Sequence, residues 1–312
     1  MMMPNSTNQT DSMENGVISP KVALNARPVP YLLKLLRLGF QIGGRLSPTI
    51  AGGIAYSLWF RPGRKQTPAS EQQTLASAEI EHLEIKNHSI ATYRWGKLSG
   101  PTVLLVHGWG GRGTQLGAFV KPLLESGYRV LSFDAPAHGR SSGKKTNIYE
   151  VADVIVALQH NYGLFDAVIT HSFGGPCTAI AMRRGLRTKR LVSISPPSST
   201  VRLVEKFLST LRIPEKAGRN MKVRFEKSFG PNLWDELSMV NSIQGVTIPG
   251  LLFHDSNDDV VPWQDGESVA RAWNNARFIK TTGLGHRRIL RDRNVIESAV
   301  RFLNDSELPL GF

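Results

Sequence analysis

The stretch VITHSFGGP, residues Val168 to Pro176, decides how this chain folds. An apolar run ends at a serine, Phe173 and two glycines follow, and a helical pattern begins at once. That is a strand, a sharp turn and a helix. Such a turn holds its serine in strained backbone geometry with the hydroxyl exposed at the helix N-terminus, where free amides and the helix dipole favour developing negative charge. Ser172 is therefore a candidate nucleophile. Strand and helix pass close together at such a turn, and Gly174 supplies the small residue this needs. Thr170, two before the serine, is larger than glycine. A β-branched residue on the strand side is conformationally at home, so a small shift in packing is the expected consequence.

Outward from this stretch, strand and helix patterns alternate from residue 78 onward. AEIEHLEI and SIATYRW read as an entering strand pair, and TVLLVHG as a short buried strand of the parallel type. QLGAFVKPLLESG then reads as a helix, YRVLSFD as a strand and YEVADVIVALQHNYG as a helix. After the helix that follows Ser172 come the strands RLVSIS, GLLFHD and RFIKTT, and the helix NVIESAVRFLN. This order predicts an α/β fold with a mostly parallel, doubly wound sheet. Between RLVSISPPSS and IPGLLFHD the apolar positions Val204, Phe207, Leu211, Met221 and Phe225 follow helical spacing. Residues 201–247 are read as a small helical cap on a core of residues 66–200 and 248–312.

A length of 312 residues suits one decorated α/β domain, and 41% hydrophobic with 20% charged residues excludes a disordered chain. Cys177 is the only cysteine, so no internal disulfide can form, a cytoplasmic setting is the default, and a packing role is expected for the thiol. Residues 1–30 are polar and lack a basic start followed by an apolar run, and they read as a disordered tail. The net charge of +13 is unevenly spread. Residues 31–65 carry six cations and no acid, and residues 201–230 carry eight cations against three acids. Two local fields without interleaved aromatics do not indicate a nucleic-acid partner. No His and Asp/Glu spacing points to a metal site, and no cofactor is expected.

The arm YLLKLLRLGFQIGGRLSPTIAGGIAYSLWFRPGRK combines apolar residues with basic flanks. Its longest uncharged run, Leu46 to Phe60, has 15 residues, short of the ~18 to 20 that span hydrocarbon. Two readings stand. The arm either rests on an anionic membrane surface, making the protein peripheral there, or packs on the protein's own core.

Four motifs in order bring out a resemblance to the α/β-hydrolase superfamily over roughly residues 78–305. VLLVHGWGGRG resembles its oxyanion loop, LSFDAPAHGRSSG its next turn with Ala137 in place of a glycine, HDSNDDVVP the stretch bearing the acid, and TTGLGHRRIL the loop bearing the histidine. The resemblance implies a serine hydrolase acting on a carboxylic ester or thioester through an acyl-enzyme. Ser172 would be the nucleophile, His286 its base, and Asp258 the carboxylate that orients the base, with Asp255 and Asp259 as neighbours and Asp259 in reserve. The backbone amides of Trp109 and Phe173 would form the oxyanion hole. His107 and His138 are expected to hold loops around the crevice. Arg288, directly after the base and Arg287, is either a group that captures an anionic part of the substrate or plain surface charge. Two alternatives remain, an acyltransferase and a catalytically silent scaffold that binds a membrane surface.

Overall fold

The computed structural model describes residues 31–97 and 99–305, so the tail read over residues 1–30 and the end of the chain lie outside the described residues. Eight strands form one sheet: β1 (Glu79–Ile85), β2 (His88–Trp95), β3 (Thr102–Val106), β4 (Arg129–Phe133), β5 (Phe165–His171), β6 (Thr188–Ile194), β7 (Gly250–Asp255) and β8 (Ala276–Thr281). Their order is β1-β2-β4-β3-β5-β6-β7-β8. The pairs β1–β2 and β2–β4 are antiparallel, and every later pairing is parallel. The fold is that of a doubly wound, mostly parallel α/β protein.

The helices are α1 (Tyr31–Leu46), α2 (Pro48–Trp59), α3 (Ala69–Ala76), α4 (Val120–Glu125), α5 (Ile148–Tyr162), α6 (Gly174–Arg183), α7 (Thr200–Thr210), α8 (Glu215–Phe229), α9 (Leu233–Glu236), α10 (Met239–Ile243), α11 (Trp263–Ala272), α12 (Gly285–Arg288) and α13 (Arg293–Asn304). The buried strands send alternate side chains to opposite faces, as a period of two requires. Leu104 and Val106 of β3 join one apolar cluster with Ile155 and Ala179, while Val103 and Leu105 join the other with Leu123 and Phe302. Each such leucine contributes roughly 1.5–3 kcal/mol by leaving water. Cys177 is buried inside α6, and burial pushes its thiol well above the ordinary value.

One expected helix divides. Residues 115–127 form a 3-10 turn, Gly117–Phe119, followed by the short α4. Pro122 has no N–H, and its ring would strike the carbonyl of Ala118 in a continuous helix. In the first turn of a helix that starts at Val120, both penalties vanish.

The arm also divides, at Ser47, whose hydroxyl accepts from the Ile50 N–H and caps α2 with Pro48 in its first turn. Among the described residues no helix is long and apolar enough to cross a membrane. The inner face of α1 packs on the turn between α7 and α8, where Arg37 donates to the Thr210 carbonyl and Gln41 to that of Arg212. Helix α2 lies on α8. A Cβ at Gly52 would stand 2.7 Å from the Ala217 carbonyl oxygen, so the close approach requires glycine. Phe225 sits at the centre of this junction, in contact with the rings of Tyr56, Trp59, Phe60 and Trp234. The outer face of the arm leaves Leu32, Leu38, Ile42, Leu46, Ile50 and Ile54 exposed.

Candidate active site

The carboxyl ends of β3, β5, β7 and β8 converge on one cavity of about 640 Å³, and Ser172 and His286 both line it. Ser172 follows β5 with φ +52°, the left-handed region that a residue with a side chain enters only under strain. The turn is pinned by the Ser172 N–H donating to the Ile194 carbonyl at 2.9 Å and by the Gly175 N–H donating to the Ser172 carbonyl at 2.9 Å. Gly174 is needed here because an added Cβ would lie 2.6 Å from the Val106 oxygen. Thr170 is fully buried in β5, with its hydroxyl 3.1 Å from the Ser193 Oγ. A threonine therefore fits the strand side without displacing the elbow.

His286 lies in α12, after β8, and its Nδ1 is 2.7 Å from the Asp258 Oδ2. That bond places the proton on Nδ1 and leaves Nε2 able to accept. The Oδ1 of Asp258 accepts the N–H groups of Val260 and Val261, each at 2.8 Å. The buried His254 adds its Nε2 at 3.4 Å from Oδ2. Burial alone would raise the Asp258 carboxyl, but the bonds from His254, His286 and the Val261 amide outweigh it and hold the group well below the usual carboxylate range. Among the described residues no direct hydrogen bond joins Ser172 to His286, although both face the same cavity. Bonds of this kind commonly tighten only in the substrate complex.

The loop after β3 passes over the serine. A Cβ at Gly108 would stand 3.1 Å from the Ser172 Cβ. Three side chains fix this loop. Gln115 Oε1 accepts the Gly108 N–H at 2.9 Å, His107 Nε2 accepts the Ala135 N–H at 3.0 Å, and His138 Nε2 accepts the Gly110 N–H at 3.0 Å. Burial lowers both histidines, and the neighbouring His107 helps bring His138 to about 3. The amides of Trp109 and Phe173 have no hydrogen-bond partner among the described residues, and their rings pack edge to face at 5.1 Å.

Asp255 and His171 carry positioning roles that sequence reasoning did not assign. Asp255, at the end of β7, accepts from Asn257 N–H (2.9 Å), Gly285 N–H (2.8 Å), Thr281 Oγ1 (2.8 Å) and Leu284 N–H (3.0 Å), so it ties down the segment that leads into His286. His171 Nε2 donates to the His286 carbonyl at 2.9 Å from within the core. Burial first, and then the adjacent His286, lower His171 to about 3. Asp255 stands opposite the glycines of TTGLGHRR, a signal that strand-end counting alone leaves ambiguous. Asp259 offers its carbonyl to Lys206 at 3.3 Å, and Arg288 lines the cavity while donating to the Gly283 carbonyl at 2.7 Å.

A family model described as the alpha/beta hydrolase family matches residues 103–298. The human serine hydrolase-like protein is 33% identical over 94 residues, which are 28% of this chain and 44% of that protein. The match thus spans less than half of that relative. Among solved structures, mouse alpha/beta hydrolase domain-containing protein 10 superposes with a TM-score of 0.59 at 19% identity, over 73% of this chain and 98% of the other. A bacterial membrane phospholipase A gives 0.58 at 19% identity, over 88% and 97%. At these identities the superpositions show the fold alone.

Proposed function

The chain belongs to the alpha/beta hydrolase family, and from that premise we propose that it is a serine hydrolase cleaving a carboxylic ester or thioester through an acyl-enzyme. The observation that carries this reading is the strained Ser172 elbow sharing a cavity with an imidazole whose Nδ1 is 2.7 Å from a buried carboxylate. In this mechanism the Ser172 Oγ attacks the carbonyl carbon as His286 Nε2 takes its proton. The carbonyl oxygen becomes an oxyanion held by the Trp109 and Phe173 amides, and losing one such donor typically costs ~10² to 10³ in turnover. His286 then protonates the leaving alcohol or thiol, and Asp258 stabilises the imidazolium while it exists. Water, activated by the same imidazole, releases the acid. An alcohol in place of water would make the protein an acyltransferase, and product analysis with an added alcohol separates the two.

A fluorophosphonate probe tests the reading. Wild-type protein is expected to label and Ser172→Ala to remain unlabelled. A wild type that stays unlabelled under conditions where the chain is folded favours the rival, a catalytically silent scaffold docking through residues 31–65.

We also propose that the outer face of α1 and α2 rests on an anionic bilayer. Support comes from the exposed row Leu38, Ile42, Leu46, Ile50 and Ile54, and from Lys34 and Arg45 in an arm without acids. Flotation with phosphatidylglycerol liposomes should be strong for wild type and weak for Leu38→Glu/Ile42→Glu. Equal flotation of both proteins would remove this docking face.

A further inference from the structure

The cavity beside Ser172 has two chemically distinct kinds of lining. One is apolar, built by Leu58 and Trp59 of the arm, Phe207 of α7, Phe225 and Phe229 of α8, and Leu233 of α9. The other is cationic. Arg61, Lys65, Arg112, Lys206, Arg287, Arg288 and Arg291 line it, against a single carboxylate, Glu71. Four of these cations are already engaged. Arg112 grips Glu71 through bonds of 2.7 and 3.1 Å, and Arg291 lies 3.7 Å from the same carboxylate. Arg288 and Lys206 donate to backbone carbonyls. Lys65, Arg287 and Arg61 have no hydrogen bond or ion pair to their side chains among the described residues.

The segments that carry Lys65 and Arg287 are also tethered. The strap that carries Lys65 is fastened by Arg64, which donates to the carbonyls of Gly139, Ser141 and Gly143 at 2.7, 2.7 and 2.9 Å. The Thr146 N–H holds the same strap through the Phe60 carbonyl at 2.9 Å. Arg287 follows His286 in the segment that Asp255 ties through Leu284 and Gly285. Both cations line the same cavity as Ser172. Burial chiefly, and then the Arg287 and Arg112 guanidinia, hold the Lys65 ammonium below its ordinary value. Two unpartnered cations on tethered segments that line one cavity with Ser172 offer a site for an oxyanion, because the backbone cost of bringing them together is met in folding rather than in binding.

We infer that Lys65 and Arg287 form an anion subsite at the cavity mouth that takes a phosphate-type group of an amphiphilic acyl substrate, whose chain lies against the apolar lining. Its link to turnover rests on the serine-hydrolase reading; its link to binding does not. The pairing of a strap lysine with an arginine beside the base also explains why the N-terminal arm is integrated into the cavity: it supplies both a piece of the apolar lining and one of the two charges.

The test is the binding of octyl phosphate, octanol and inorganic phosphate to the full chain, measured by calorimetry and by protection of Ser172 from fluorophosphonate labelling. Octyl phosphate should bind at least about tenfold more tightly than octanol, and Lys65→Gln/Arg287→Gln should remove at least about tenfold of that affinity. Lys65→Arg/Arg287→Lys should retain most of it. Inorganic phosphate should bind far more weakly than octyl phosphate; equal binding would detach the charge from the apolar lining and overturn the amphiphile assignment. An advantage of octyl phosphate over octanol that is absent in wild type, or that survives in the double glutamine variant, overturns the subsite. Thermal melting checks the fold, and if the double variant melts early, Lys65→Gln and Arg287→Gln singly must each weaken octyl phosphate at least about threefold. A wild type that binds octyl phosphate but never labels would keep the subsite and discard the serine reading.

Discussion

Asp255→Asn should separate the scaffold of the site from its chemistry. The wild-type carboxylate is fully buried and accepts four hydrogen bonds, two on each oxygen. Asparagine keeps one acceptor oxygen and turns an NH2 toward the other pair of donors. The least costly orientation puts the NH2 toward Thr281, whose hydroxyl can rotate to accept, and leaves the Leu284 N–H unpaired. An unpaired buried amide costs about 1–3 kcal/mol, and three remaining bonds that lose their charge lose about 1 kcal/mol each, so the variant should be roughly 4–6 kcal/mol less stable. Release of the Leu284 tether and weakening of the one from Gly285 should also let His286 drift, lowering kcat roughly 10²-fold. The pH dependence has a fixed sign. Burial alone would raise the Asp255 carboxyl, but the bonds from Gly285, Thr281, Asn257 and Leu284 prevail and lower it. Its contribution is therefore complete above the unfolded value of about 3.9 and is lost as pH falls toward the lower folded value. Urea unfolding of both proteins at pH 7 and across pH 5 to 3 should show a large gap that narrows with acid. A gap below about 1 kcal/mol at pH 7 refutes the clamp.

Asp258→Asn should do the reverse, lowering kcat roughly 10³- to 10⁴-fold by reversing the imidazole tautomer. Its stability cost should be smaller than that of Asp255→Asn, because the amide oxygen still accepts from Val260 and Val261; comparable urea midpoints for the two variants would contradict this. Burial lowers His138 and His171 to about 3, so neither should add a proton to the acid limb of kcat/KM above that pH; a limb that loses its extra steepness in His138→Asn or His171→Asn would contradict this. Phe225→Ala should cost roughly 3–5 kcal/mol by emptying the centre of the arm junction, measured as a shift in urea midpoint together with faster proteolysis between residues 30 and 68. An unchanged midpoint would show that the arm is not held through this ring.

Sequence signals are sharpest where backbone geometry allows few residues. An apolar run, a serine, a glycine two positions later and a helix can hardly be arranged otherwise than as the elbow at φ +52°, and the alternating strand and helix patterns gave the parallel sheet. The resemblance of HDSNDDVVP to an acid-bearing stretch points to Asp258, the carboxylate that stands 2.7 Å from His286. Position along the chain gave no access to Asp255, because its four donors come from three separate loop and strand positions that meet only after β7 and β8 pair. Pro122 divides the expected helix over QLGAFVKPLLESG, because the apolar spacing around it carries no trace of the missing N–H. Sequence alone leaves the arm either docked or interfacial, and its helices pack one face and expose the other. Lys65 shows in the sequence only as one of the six cations of the arm, since its place in the cavity depends on Arg64 fastening the strap to the loop after β4.

In the proposed mechanism Ser172 carries the acyl group between the two half-reactions. Acid quenching during turnover of an activated octanoyl ester, followed by peptide mass mapping, reads this directly. The prediction is an octanoyl adduct on the peptide containing Ser172, absent from Ser172→Ala, which should also lose turnover. Undiminished hydrolysis by Ser172→Ala, or an adduct on another residue, would contradict it.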